Sequence, residues 1–283
     1  MTDLHVTAVY TYPIKSCAGL SHDCAPLEAR GLRDDRRWMV IDRSGKFVTQ
    51  RDLPRMALIR PLIGESVLRL TAPDMPDLHV PIRADGDDVT TRRVVVWRST
   101  CDAIDAGDAA AEWLSGFLGE SLRLVKMADA FVRLTSTQYT DQPAPVSFAD
   151  GYPLLLATDS SLADLNARLE GRGKSTLPMR RFRPNVVIGG NGAWDEDNWT
   201  RITIGGIPFD VVKPCARCVI TTVDPATGVI PDHEEPLATL ATFRRGRNGV
   251  LFGQNIIHRA TGEIRVGDRV EVVARKSHPV NTH

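Results

Sequence analysis

No stretch of the 283-residue chain approaches the ~18 consecutive apolar residues that a membrane helix needs, and its strongest short runs, such as LLLA at 154–157, have the length of a core strand. A charge surplus is also missing, since 35 Lys and Arg face 35 Asp and Glu. Binding to a nucleic-acid backbone grows with the number of phosphates neutralised, so no such partner is expected and any bound anion must be held locally. Cysteine is sparse. Cys17, Cys24, Cys101, Cys215 and Cys218 are odd in number and scattered, which fits reduced thiols better than a disulfide framework. The opening residues MTDLHVTAVYTYP show neither a basic segment with an apolar stretch nor an Arg-rich presequence, so a cytoplasmic location is expected. GxSxG, GxxxxGKS/T and GxGxxG after a strand are absent, which sets aside a serine hydrolase, a P-loop enzyme and a Rossmann dehydrogenase. The seven histidines fall in no metal-ligand spacing.

What the chain does have is short strands and a few helices. Val- and Tyr-rich residues 6–12 read as a strand, and 38–42 with 47–50 read as a hairpin around Gly45. Further strands are expected at 56–63, 67–70, 93–97, 121–127, 201–204, 207–212 and 219–223, with a terminal strand pair joined at Gly267-Asp268. Helices are expected at 109–118, stopped by Gly119; after the cap residues Thr158 or Ser160, ending at Gly171; and at 236–243. This is not βαβ alternation, so a doubly wound dinucleotide fold is not expected. The pattern predicts an α+β, predominantly β protein: two β-barrel-like or sandwich domains at 1–127 and 150–275, an irregular linker at 128–149 and a tail at 276–283.

The sharpest local motif is KPCARC, residues 213–218. Two thiols three residues apart fit buried core cysteines, half of a zinc site, a thiol–disulfide exchange pair, or one thiolate for a soft metal beside Lys213 and Arg217. A closed zinc site lacks two further ligands, but spacing alone does not choose among the rest. Lys15-Ser16, directly after the first strand, offers a cation, a hydroxyl and strand-end amides suited to phosphate, although such a pair is commonly solvated surface. Arg36 stands in the charged run LRDDRRW, where a guanidinium has the geometry to clamp a phosphoryl group. Arg183 and Asn185 flank the proline of FRPN ahead of an apolar strand, where their plain role is to cap it.

Six blocks in order, YPIKSCAGL, DRRWMVIDRSGKFVTQRDLPRMALI, FRPNVVIGG, WDEDNW, KPCARCVITTVDPATG and FGQNIIHRATGEIRVGD, resemble those of a MOSC-domain protein with a MOSC N-terminal β-barrel, from about residue 4 to about residue 274. The chain looks like the branch containing the mitochondrial amidoxime-reducing component and its bacterial YcbX-like relatives. That resemblance implies two β-barrel-like domains and a molybdenum cofactor, a pterin whose dithiolene holds the metal and whose tail ends in phosphate. By the same resemblance the metal takes the second cysteine of the CxxC, here Cys218. Lys15, Ser16 and Arg36 match the phosphate-binding positions, and Arg183, Asn185 and Arg217 are expected near the cofactor. Asp150, in ADGYPLLLA, matches an acidic residue that orients or protonates the substrate oxygen, although Gly151 and Tyr152 replace small hydroxylated residues there. The implied activity is reduction of N-hydroxylated compounds such as amidoximes, hydroxylamines and N-hydroxylated purines. No cysteine follows Cys218 to hold an iron–sulfur cluster, so a separate ferredoxin or flavoprotein reductase is the expected electron donor. Two other functions stay in view: a sulfur carrier with a persulfide on Cys218, and a protein that binds the cofactor without turnover.

Overall fold

The computed structural model describes residues 3–82, 89–247 and 249–277. The expected tail lies mostly outside these, beyond Ser277. The fold is mostly β, as predicted, with three α-helices among the described residues.

One curved sheet of nine strands organises the molecule. Along its path run Val270–Arg275, Trp199–Ile204, Ile207–Ala216, Gly249–His258, Leu154–Thr158, Val186–Gly189, His5–Thr11 and Leu20–His22. The first strand of the chain therefore pairs with a strand from its second half, Val9 opposite Val186, and the sheet crosses the division expected at 128–149. Val6 and Val9, three residues apart, both point inward because the strand's register shifts between Val6 and Ala8, and they join Leu154, Leu156, Val186 and Ile188 in one core with Trp199 and Phe209. The remaining part is built from smaller sheets and helix α1, Asp108–Leu118, whose Trp113, Leu114 and Phe117 pack on Met56, Leu68 and Val80.

Several expectations stand and others are corrected. Helix α1 stops at Gly119, which takes φ 78° where a side chain would strain. Helix α2, Asp159–Gly171, is capped by the Thr158 hydroxyl, which accepts from the Ser161 amide. It connects the parallel strands Leu154–Thr158 and Val186–Gly189, a single βαβ unit that the overall pattern hid. Helix α3 spans Leu237–Ala241.

Residues 219–223 are not a strand: Val219–Thr222 form a 3₁₀ turn, because the Thr221 and Thr222 hydroxyls donate to the Cys218 and Val219 carbonyls at 2.9 and 2.8 Å. Residues 56–63 divide into a 3₁₀ turn, Pro54–Leu58, started by the fixed φ of Pro54, and a strand, Arg60–Ile63. The hairpin partner at 47–50 shrinks to one bridge, Ile41 to Phe47. The strands either side of Gly267-Asp268 do not pair with each other; Gly262–Arg265 joins Cys24–Glu28, and Val270–Arg275 joins Trp199–Ile204. That turn is held instead by Val6, whose amide and carbonyl bond Asp268 and Gly267. Residues 128–149 are packed as well as irregular: Phe148 is buried among Met39, Val94 and Met127.

Candidate functional site

Lys15 follows the strand His5–Thr11, and Asn185 precedes its neighbour Val186–Gly189, so pairing these two strands brings both motifs to one sheet end. Asn185 ties the join. Its side-chain oxygen accepts from Arg36 Nη1 at 3.0 Å and from the Leu155 amide at 3.1 Å, while its Nδ2 donates to the Tyr10 carbonyl at 3.1 Å. With its polar atoms so used, Asn185 positions the site more than it faces a ligand. Arg36 is likewise anchored: it donates to Asp35 at 2.6 and 2.8 Å and to the Arg183 carbonyl at 3.1 Å.

Arg36 and Arg183 both lie against the Tyr12 ring, their guanidinium carbons 4.3 and 4.2 Å from its centroid. The Tyr12 hydroxyl is buried without a partner, and burial pushes its ionisation up to about 12. Burial, and then the Arg36 charge beside it, lowers Arg183 to about 10. One of its terminal nitrogens donates to the Cys17 carbonyl at 2.7 Å, while the other is buried with no partner. Two partly buried cations thus contact one ring, and while Arg36 is paired with Asp35, Arg183 carries an unsatisfied donor and has no carboxylate partner.

The backbone adds a second sign. Ser16, Arg36 and Arg183 adopt φ of 66°, 50° and 53°, a left-handed conformation unfavourable to residues with side chains. Such strain costs of order 1–3 kcal/mol per residue and persists where the surroundings impose it.

Lys15 is 5 % exposed. Its Nζ donates to the Phe148 carbonyl at 3.0 Å and pairs with Asp150. Burial lowers the Lys15 ammonium's pKa, opposed by Asp150; in return Lys15 holds the Asp150 carboxyl well below the usual carboxylate range despite its own desolvation. At neutral pH Asp150 is an anion, able to accept a hydrogen bond or proton and without one to give.

Cys218 starts the 3₁₀ turn, and its Sγ receives Arg51 Nη2 at 3.4 Å. Arg217 donates to Cys215 Sγ at 3.0 Å and to the Phe182 carbonyl at 2.7 Å, leaving its Nε buried and unpartnered. Cys17 differs from this pair: fully buried, its thiol is pushed up to about 12.

All eight side chains named from the sequence, Lys15, Ser16, Arg36, Asp150, Arg183, Asn185, Arg217 and Cys218, line one inner cavity of about 120 Å³. It shares Thr49, Arg51, Asp150, Gly151 and Tyr152 with an outer cavity of about 1090 Å³, so a ligand seated in the first reaches the second. Three contributors were not singled out from the sequence. Arg51 lies inside a quoted block but carries no spacing signal. Trp97 donates to Asp150 Oδ1 at 3.1 Å, and Arg133 holds the Asp150 loop through the Ser147, Ala149 and Asp150 carbonyls at 2.7–2.9 Å. Arg133 sits in what reads as linker, and a lone cation in polar sequence gives no warning of its burial.

Two family models match this chain, the MOSC N-terminal beta barrel domain over residues 3–121 and the MOSC domain over residues 143–271. The chain belongs to the MOSC-domain family. Among its curated relatives is the human mitochondrial amidoxime reducing component 2, 37% identical over 281 residues, covering 94% of this chain and 82% of that protein. The mouse mitochondrial amidoxime-reducing component 1 is 38% identical, with 95% and 82% covered. A rice molybdenum cofactor sulfurase is 33% identical over 267 residues, which are 89% of this MOSC protein and 32% of the sulfurase. No helix among the described residues is long and apolar enough to cross a membrane.

Proposed function

We propose that this MOSC protein is a molybdenum-cofactor-dependent oxidoreductase that reduces N-hydroxylated compounds, using electrons from a separate ferredoxin or flavoprotein reductase. The observation that carries the reading is the convergence of a thiol, two partly buried guanidinium groups and a buried ammonium on one cavity, in a chain similar over most of its length to amidoxime-reducing components.

The residues fit the cofactor. Among the described residues no three His, Cys, Asp or Glu side chains gather as a metal site, so a metal here must bring most of its own ligands. A dithiolene supplies them, and Cys218 would add the one soft protein thiolate. Arg183, with its unpartnered nitrogen, and Ser16, with its left-handed backbone, would take the terminal phosphate, with Lys15 and Arg36 completing the positive field. Arg217, whose Nε is also buried and unpartnered, would meet the pterin side.

When bound, the cofactor supplies oxygen-atom acceptance from the N–OH group and two-electron chemistry. The chain's own part is to position and to manage protons. Asp150, ionised and held by Lys15 and Trp97, would accept a hydrogen bond from the substrate N–OH and so aim it at the thiolate side of the cavity. Arg51, 3.4 Å from Cys218 Sγ, would stabilise negative charge on that sulfur. Protein made in a cofactor-competent host is expected to turn over benzamidoxime with reduced viologen, and Cys218→Ala is expected to abolish it. Full activity in Cys218→Ala would overturn the reading. A persulfide on Cys218 in wild-type protein lacking pterin would favour the sulfur-carrier alternative suggested by the sulfurase relative.

A further inference from the structure

An outer cavity adjoins the inner one. It is nine times the volume of the inner one and is lined by aromatic side chains, Phe47, Trp97, Tyr139 and Tyr152. Lys213 lies over the rings of Tyr139 and Tyr152, at 4.7 and 5.7 Å. Tyr152 lines both cavities, and its hydroxyl is buried with no partner. Burial raises that hydroxyl's pKa, so it stays a donor.

Trp97 is the stranger feature. It occupies the first loop position of a two-residue hairpin, between the paired Val96 and Ser99, with φ 55°. Two-residue hairpins that need a positive φ favour Gly, Asn or Asp there, and an indole is among the least suited side chains. Despite contacts with Asp150, with Arg51 at 4.9 Å and with Phe47 at 5.0 Å, the residue is 44 % exposed. A large aromatic residue held in a strained backbone, bonded through its N–H to the site carboxylate and bare along much of its ring, is built to meet a ligand.

We propose that Trp97 is a specificity-determining residue: its indole and Tyr152 receive the planar aryl substituent of an N-hydroxylated substrate in the outer cavity, while the N–OH end enters between Asp150 and Arg51. The assignment rests on the reductase reading for its substrate class. The ring edge supports Asp150 for every substrate and the ring face stacks only on an aryl group, so loss of the ring weakens aryl substrates by more than it weakens the others. Compounds without an aryl group touch neither surface and are bound by the inner residues alone.

The test compares benzamidoxime with acetamidoxime in wild type, Trp97→Asn and Trp97→Phe, with calorimetric binding of benzamidine to the same cofactor-loaded proteins. Asn suits a positive φ, so Trp97→Asn folds without the turn strain. In Trp97→Asn, KM for benzamidoxime is expected to rise about fivefold to tenfold more than KM for acetamidoxime, and Kd for benzamidine to rise by a similar factor, with Trp97→Phe, which keeps a ring face, intermediate. Equal losses for both substrates, or a fall in kcat alone, would overturn the assignment by making Trp97 only a support for Asp150. Wild-type turnover with unaltered discrimination in Trp97→Asn also overturns it and leaves the reductase reading standing. Weaker benzamidine binding in Trp97→Asn, with a wild-type protein that binds benzamidine but reduces neither substrate, keeps the aryl slot and removes the reductase reading.

Discussion

Arg183 and Trp97 hold almost the same strained backbone, φ 53° and 55°, at the two ends of one site, yet their surroundings differ in kind. Around Arg183 the chain is closed: Arg36, Asp35 and Asn185 are bonded into one buried network, and Tyr12 is covered by two guanidinium groups. Around Trp97 it is open, aromatic and half exposed. A closed, cation-rich pocket suits a ligand that arrives once and stays, whereas an open aromatic one suits molecules that come and go. On the proposed reading, the inner cavity retains the cofactor and the outer one selects the substrate.

Substitutions that spare one cavity sharpen this division. The largest effect is expected at Arg36, because Arg36→Met leaves Asp35, 3 % exposed, without its counter-ion. Such a loss costs about 3–5 kcal/mol, to be read from the denaturant midpoint of the metal-free chain. Arg183→Met should instead leave the fold nearly unchanged, since it removes a cation that burial and Arg36 already disfavour, while cofactor content drops about tenfold or more. If both variants lose stability equally, the closed pocket is structural scaffolding and not an anion site.

Asp150 joins the two cavities, and its protonation discriminates donor from acceptor. Its carboxyl lies below the ordinary range, so the Lys15 pair contributes stability above the unfolded carboxylate value and loses it only as pH falls through the folded one. Wild-type kcat/KM should therefore show no carboxylate limb above about pH 5. Asp150→Asn should lower the rate about 10²-fold without moving the remaining profile. A limb near pH 6 that vanishes in Asp150→Asn would show a proton donor instead.

The smallest effect on activity is expected at Glu196, which the site does not use. Its carboxyl is buried, accepts from Ser161 Oγ at 2.7 Å, and is pushed up to about 7 chiefly by burial. A folded value above the unfolded one favours the native state fully below about pH 4.5, and the advantage is lost as pH rises through 7. Glu196→Gln should remove about 3 kcal/mol of that pH dependence while leaving benzamidoxime kinetics unchanged. Unchanged pH dependence in the variant would assign the slope to another group.

Much of the scaffold is legible in the sequence because its signals are local. Thr158 caps helix α2, Gly119 ends helix α1, and the Val- and Tyr-rich run at 6–12 marks the first strand. Pairing across long separations is not local, which is why the two strands flanking Gly267-Asp268 read as partners and are not. The Val219–Thr222 turn was hidden by β-branched composition, and the two threonine hydroxyls that bend it compete with a strand only once the backbone has turned. Cys218 and Arg183 stand out because they lie in blocks that resemble a known family; their spacing alone leaves several roles open. Arg51, Trp97 and Arg133 reach the site singly from separate segments, and only the folded chain brings them together.

The central claim is a bond between Cys218 and molybdenum. X-ray absorption at the molybdenum edge, on wild type and Cys218→Ser from a cofactor-competent host, tests it most directly. Stoichiometric molybdenum in wild type, with one sulfur scatterer fewer in the variant, is the predicted result. Wild-type protein free of molybdenum and pterin, or a variant with an unchanged sulfur shell, would contradict it.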